Sequence, residues 1–481
     1  MRTFAALFLA VGCEPGVPPV DSGDPGDSAD SGDAGGSIPG VGGPTVLDPT
    51  CGGTGRVVLA LGVGDSADHA RAVHREADGI TAIVGTVDEP VLSQQAAWIA
   101  AVHLRDDCTL DPAYGAAGLA TFTVADPPEQ VEDVHRVRFE PDGAITVFGP
   151  SVQPLVRADG SIEHHPALTA ARFVPEGAFD AAFGVPFLHL FRVPDAPYPD
   201  EHAVRGIVTL PDGAIRVLTQ TGGPYDAFAL STLAGSAFDP AATTIYAAEG
   251  EVDGLVYGAD RVEGLAILDD GSLRIGGVFV DGTTVPSLVP GLLKLDPTGA
   301  VDPAYGIRGV AGLDTAGGDV ESVTSVAETP DGYLLLASVV AEGGDGYEAL
   351  GVIRIARDGT VDRTFGVGGV ARVALAAGVR AHALGGFAVN PDGTMVIGGS
   401  SYAADGSDDR RIGAARFLAD GTLDPTFADG GVFDAGALSA GAPEELNGVD
   451  QASDGVVTLV ATRTTSPSDS DWVVYRLAPA R

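Results

Sequence analysis

From about Leu47 onward the chain alternates short apolar runs with tight polar turns, and one phrase recurs along its whole length: VHREADGITAIVG, RFEPDGAITVFG, VTLPDGAIRVLT, AILDDGSLRIGG, AETPDGYLLLAS, AVNPDGTMVIGG and DQASDGVVTLVA. Each copy places an Asp-Gly pair between runs rich in valine, isoleucine and leucine. The turn glycines are Gly79, Gly143, Gly213, Gly271, Gly332, Gly393 and Gly455. Asp-Gly tolerates the positive φ that hairpin turns need, so each copy predicts strand, turn, strand. The flanking runs suit strands buried between packed sheets.

A second phrase, Asp-x-x-aromatic-Gly, follows each hairpin. It reads LDPAYG at Leu110, FDAAFG at Phe179, VDPAYG at Val301, VDRTFG at Val361 and LDPTFA at Leu423, with degenerate copies LDPTCG at Leu47 and FDPAAT at Phe238. Its aspartates are Asp48, Asp111, Asp180, Asp239, Asp302, Asp362 and Asp424, so two markers each count seven units. A period of about sixty residues is too long for leucine-rich or helical repeats and fits a four-stranded blade. The expectation is an all-β protein, a seven-bladed β-propeller of four-stranded antiparallel blades spanning 47–481. Within each unit, strand A runs up to the Asp-Gly turn, B follows it, C precedes the second turn and D ends the unit. The chain enters on a D strand at 56–61 and leaves on a C strand, so the N-terminal strand is expected to complete the last blade and leave no open edge.

The phrases NPDGTMVIGGSS at Asn390, RFLADGTLDPTF at Arg416 and RIARDGTVDRTFGVGGV at Arg354 resemble the delta-60 repeat β-propellers of bacterial surface and secreted proteins. The resemblance covers about nine tenths of the chain. It departs most in units three and four, where Asp239 lacks the aromatic-glycine element. What the resemblance implies is a fold, with no common activity attached.

The ends place this body outside the cytoplasm. Residues 1–12 read as a signal peptide with a short apolar core, too short to span a bilayer. Ala10-Val11-Gly12-Cys13 resembles a bacterial lipobox, with alanine where leucine is usual, which makes Cys13 the expected lipidation site. Residues 13–46 repeat aspartate among Gly, Ser and Pro and have almost nothing to bury, as expected of a disordered tether. With 66 acidic and 27 basic residues the formal net charge is −39, a field that excludes nucleic acid and anionic lipid as partners of the body. Any membrane association is then expected only through the lipid anchor, and the body is expected to be monomeric. Cys51 takes the aromatic's place in its motif, and Cys108 takes the place of a turn glycine. Both fall in C-to-D turns of blades adjacent across the closure, so a Cys51–Cys108 disulfide is expected there.

Propellers usually bind ligands at the channel mouth, where the inner strands begin. Eleven residues before each turn glycine stand Asp68, Glu132, His202, Asp260, Glu321, His382 and Glu444, all carboxylates or imidazoles. Three residues later come Arg71, His135, Arg205, Glu263, Thr324, Gly385 and Asn447 as a second, channel-lining ring. The sharper reading of the mouth is a cation site, with carboxylates suited to calcium and imidazoles to a transition metal. The plainer reading is that each residue caps its strand or bonds to a neighbouring blade. His164 and His165 are adjacent, and adjacent strand residues point to opposite faces, so solvated side chains explain them better than metal ligands do. No nucleophile elbow, zinc-binding helix, phosphate loop or sialidase box is present. Trp98 and Trp472 fall in C strands, where blade packing accounts for them. The chain is therefore read as a binding scaffold of the envelope, lipid-anchored at the outer membrane or surface of a Gram-negative bacterium and recognising a protein or glycan. The alternative is a calcium-centred, lactonase-like hydrolase with His135 moving protons.

Overall fold

The computed structural model describes residues 45–479 apart from 63–66, 90–95, 123–132, 157–161, 185–186, 189–201, 222–227, 247–250, 253–254, 257–260, 281–287, 308, 313–319, 330, 342–346, 376–378, 404–409, 437–441 and 467. The expected signal peptide, Cys13 and nearly all of the tether lie outside the described residues.

Seven antiparallel sheets stand around an axis. Blade 1 runs outward through His69–Arg75, Thr81–Glu89, Ala96–Leu104 and Leu119–Phe122. The inner strands of blades 2 to 7 are Arg136–Phe139, His202–Thr209, Arg261–Ile267, Val320–Glu328, Val379–Val389 and Glu444–Gln451. Each adjoins the next, and the seventh adjoins the first, which closes the ring. The seven-bladed architecture read from the repeats is the architecture found. Buried residues fall into seven apolar clusters, one filling each seam between neighbouring blades. This is why the strands read as near-continuous apolar runs: both faces of each blade are covered.

Closure follows the expected scheme with one difference. The last blade's C strand, Asp469–Pro479, pairs with two short pieces, Thr45–Leu47 and Arg56–Leu59, instead of one strand over 56–61. The Asp48–Gly55 turn between them is the degenerate second motif, and its Cys51 is bonded to Cys108 with Cα atoms 4.8 Å apart. Cys108 has φ of 62°, the left-handed conformation its glycine counterparts adopt. The disulfide therefore ties blade 7 to blade 1. Trp472 is fully buried at the same seam, its indole N–H donating to the Thr86 carbonyl at 3.3 Å.

The repeated aspartates are turn-builders. In the first motif the Asp side chain accepts the backbone N–H two residues on, as in Asp78 to Ile80, Asp142 to Ala144 and Asp392 to Thr394. In the second motif the same bond recurs at Asp48, Asp111, Asp180, Asp302, Asp362 and Asp424. Asp239 differs in setting, since it lies inside the strand Ala237–Tyr246, whose register against Phe228–Ala234 shifts between Asp239 and Thr244. Its copy of the motif offers no aromatic to dock. Blade 3 instead joins its C and D strands through the tight turn at Gly235–Ser236.

Candidate functional site

Of the expected mouth ring, Glu132 and Asp260 lie outside the described residues, as do the side chains of His202, Glu321 and His382, and those of His164 and His165. The two members described in full are buried and engaged. Glu444 accepts hydrogen bonds from Arg56 Nη2 and Tyr475 Oη, both at 2.6 Å. Burial and the Glu444 carboxylate push the Tyr475 phenol above its ordinary pKa. Asp68 Oδ2 accepts the Gly62 N–H at 2.9 Å, and its carbonyl accepts the Ser470 hydroxyl at 3.0 Å. Asp68 thus reaches across the blade 7–blade 1 seam, while the partners of Glu444 both come from its own blade.

The second ring has a structural origin that the sequence did not reveal. Arg71, Arg205, Glu263, Thr324, Gly385 and Asn447 each fall at a register shift between the first and second strands of their blade. A bulge re-aims the side chain it carries, so six of the seven inner strands are irregular at one equivalent position. Just past the bulge the inner strands approach closely. A Cβ on Gly206 would stand 2.7 Å from Leu265 Cβ, and one on Gly264 would stand 2.9 Å from the Val326 nitrogen.

In blade 2 the matching residue, His135, immediately precedes the inner strand, and the glycine's place is taken by Arg136. This guanidinium spans three blades. Nε and Nη2 donate to the Arg205 carbonyl at 3.1 and 2.8 Å, and Nη2 also meets Glu263 Oε2 at 2.8 Å. Glu263 further binds Arg205 Nη1 at 2.5 Å. On the other side Arg71 Nη2 lies 3.1 and 3.2 Å from the Asp133 carboxylate oxygens. His135 Nδ1 accepts the Val204 N–H at 3.1 Å, while its Nε2 stands 3.6 Å from Asp133. Burial works to raise the Asp133 carboxyl, but His135 and Arg71 outweigh it and hold the group below the usual carboxylate range. Asp133 and Arg136 were not singled out in the sequence. Their one signal was an arginine standing where other repeats carry small residues.

A second repeated device lies at the face where the hairpin turns gather. The C strand of most blades carries a cation whose side chain binds the second-motif aspartate: Arg354 Nε to Asp362 at 2.8 Å, Arg416 Nε to Asp424 at 2.7 Å, Arg476 Nε to Asp48 at 2.9 Å and Lys294 Nζ to Asp302 at 2.7 Å. The motif's aromatic lies under the cation, Phe365 below Arg354, Phe427 below Arg416 and Tyr305 below Lys294. The next blade's turn glycine then covers the ring: Cβ atoms on Gly177, Gly359 and Gly421 would lie 3.0, 3.1 and 2.9 Å from Tyr114, Tyr305 and Phe365. Gly115 and Gly366 N–H hook the Glu176 and Asp420 carbonyls, both at 2.8 Å, and Gly52 hooks Asp107 at 3.1 Å.

Residues 390–427 match the model of a β-propeller domain of unknown function, DUF5122. The matched stretch runs from the blade 6 Asp-Gly turn to Phe427 and contains both motifs with the two strands between them. No curated protein matches the chain. Among solved structures, it is similar to a protein of unknown function from Dyadobacter fermentans, at 12% identity and TM-score 0.44, covering 72% of this chain and 94% of that one. It is also similar to a polysaccharide lyase of family PL25, an ulvan lyase, at 10% identity and TM-score 0.47, covering 86% and 96%. The propeller of Dos1 matches at 9% identity and TM-score 0.41, covering 85% and 92%. Among the described residues, no three His, Cys, Asp or Glu side chains are grouped to hold a metal ion.

Proposed function

We propose that the protein is an envelope-anchored β-propeller of the delta-60 repeat kind, tethered through lipidated Cys13 and acting as a non-catalytic scaffold that recognises a protein or glycan. The observation that carries this reading is the pairing of the channel's described ionisable groups. Glu444 is held by Arg56 and Tyr475, and Glu263 by Arg136 and Arg205. His135, the proton carrier of the hydrolase alternative, has Nδ1 on a backbone N–H and Nε2 facing Asp133. A general base needs a nitrogen free to take a proton from substrate. Carboxylates already neutralised by guanidinium groups are poor ligands for a hard cation.

The test is thermal unfolding of the purified protein with calcium and with a chelator, since a ligand held only by the folded state raises the midpoint. The scaffold reading expects the two midpoints to coincide. A calcium-dependent rise that Glu321→Gln removes would establish the cation site and favour the hydrolase. In parallel, Cys13→Ser is expected to move the protein from the membrane to the soluble fraction. Retention at the membrane would overturn the lipid anchor.

A further inference from the structure

Among the described residues, the seam between blades 2 and 3 carries the receptor half of the repeated lock without the half that fills it. In the other seams the covering element is a reverse turn or a substitute for one. The turn glycine lies on the aromatic, as Gly421 does on Phe365, and the preceding carbonyl, Asp420 O, takes the N–H of Gly366. The carbonyl before that, Ala419 O, takes Arg354 Nη1 at 2.8 Å. At the closure Asp106 O receives Arg476 Nη2 in the same way. Where blade 3 lacks the turn-bearing D loop, Tyr246 substitutes, its hydroxyl donating to the Gly299 carbonyl of blade 4 at 2.6 Å.

Blade 2 supplies the same receptor: Phe183 as the aromatic, Arg172 as the cation and Asp180 as its partner. Blade 3 returns only the short turn at Gly235–Ser236. A Cβ at Gly235 would meet nothing within 4 Å, and the Gly184 N–H turns back to its own Asp180 carbonyl at 3.1 Å. Phe183 stays half-buried, whereas Tyr114, Tyr305, Phe365 and Phe427 are 0–2% exposed. The cation is loosened as well. Arg172 Nη1 stands 4.0 Å from Asp180, its Nη2 donates to Asp142 at 3.3 Å, and its buried Nε has no hydrogen-bond partner among the described residues, where Arg354, Arg416 and Arg476 use that atom at 2.7–2.9 Å. What remains is a cleft of about 480 Å³, floored by Phe183 and Leu233 and rimmed by Arg172, Asp180, Arg138 and Glu140.

We propose that this cleft is a binding site for a reverse turn of a partner polypeptide, of the Asp-Gly kind that the protein packs against itself in its filled seams. The guest's glycine lies on Phe183, because a side chain there would strike the ring. A carbonyl two residues earlier accepts from Arg172. The inference rests on the scaffold reading and names one of its sites. Guanidinium and aromatic groups are the side chains that most often dominate peptide recognition.

The test uses the full-length purified protein and a dye-labelled cyclic peptide of sequence Ala-Arg-Asp-Gly-Thr-Val, the chain's own residues 356–361, followed by fluorescence anisotropy. Saturable binding is expected, weakened at least about tenfold by Ser236→Trp, which fills the cleft from an exposed position, and similarly by Phe183→Ala. A peptide with valine in place of glycine is expected not to bind. Binding unaffected by Ser236→Trp, or no binding at all, overturns the site. Displacement of the peptide by neutral disaccharides at the same Phe183-dependent site would replace the peptide guest with a glycan. A Ser236→Trp protein that still captures the same envelope partner as wild type would sink this cleft and leave the scaffold reading standing.

Discussion

The seam between blades 7 and 1 and the seam between blades 2 and 3 share one topology and differ in how much holds them shut. The first borders blade 7, in whose sheet the two ends of the chain are paired to close the ring. It carries the disulfide, the Gly52–Asp107 hook, buried Trp472, the Asp68–Ser470 pair and the Arg75 N–H bonded to Asp450 at 2.7 Å. The second is held near the axis by Arg136 and His135, but its outer part has lost the covering turn. Its apolar cluster, centred on Phe148, Val204 and Val217, is also the smallest of the seven among the described residues. What separates the two seams is whether a turn from the next blade, or a substitute such as the Cys51–Cys108 bridge, covers the second motif.

The largest effect expected from breaking this contrast comes from Cys51→Ser with Cys108→Ser. The bridge closes a loop with sequence separation 57, and the chain-entropy account gives about 4 kcal/mol for a loop of that size. The double variant is expected to melt well below wild type in thermal denaturation. An unchanged midpoint would mean that the noncovalent contacts close the ring unaided. Next comes Glu444→Gln, which strips Arg56 and Tyr475 of a buried anionic partner. Breaking a buried pair costs about 3 kcal/mol, measurable as a lower denaturant midpoint with the slope unchanged. Third, Phe365→Ala is expected to cost about 3 kcal/mol as a fully covered ring, and Phe183→Ala roughly half of that, because a half-buried ring removes less apolar area from water on folding. Equal losses would show that the blade 2–blade 3 seam is as tightly packed as the others.

Two pH effects are smaller. Hydrogen bonds from Thr364, aided by Arg354, hold the Asp362 carboxyl below its ordinary pKa. At Asp424 burial pushes upward, but Thr426 and Arg416 outweigh it. A depressed carboxyl contributes stability above its unfolded pKa that is lost as pH falls through the folded value, so unfolding is expected to ease below about pH 4. Burial also lowers the pKa of His103, which lies stacked on Tyr114 with ring centroids 3.7 Å apart. The unfolded chain then binds the proton more readily, and stability should fall as pH drops through about 6.5. A His103→Gln protein should lose that part of the slope, while His74, raised by Asp450, contributes in the opposite sense.

The blades were legible in the sequence because Asp-Gly turns are local chemistry repeated seven times, with glycine φ between 78° and 93° at every first-motif turn. The disulfide was legible because Cys51 and Cys108 replaced motif residues whose places in the ring were already known. The C-strand cations Lys294, Arg354 and Arg416 each stand eight residues before their aspartates, a spacing with no meaning until the turn is folded. What could not be read were contacts whose partners meet through ring geometry alone. Arg136 and Glu263 are 127 residues apart, and Arg56 and Glu444 are 388 apart. Bulges at the second ring leave no local signature either, since Arg71, Glu263 and Asn447 share only their position. The Asp239 copy failed for a local reason: without an aromatic to dock, its aspartate stays in a strand.

The most direct test of the contrast is hydrogen–deuterium exchange followed by mass spectrometry across the second-motif segments. Segments 180–188 and 233–238 are expected to exchange at least about tenfold faster than 111–119 and 362–371, in line with the lower local stability of a seam that lacks its covering turn. Equal protection in the two sets would contradict the account, because the blade 2–blade 3 seam would then be closed without the turn that the other seams require.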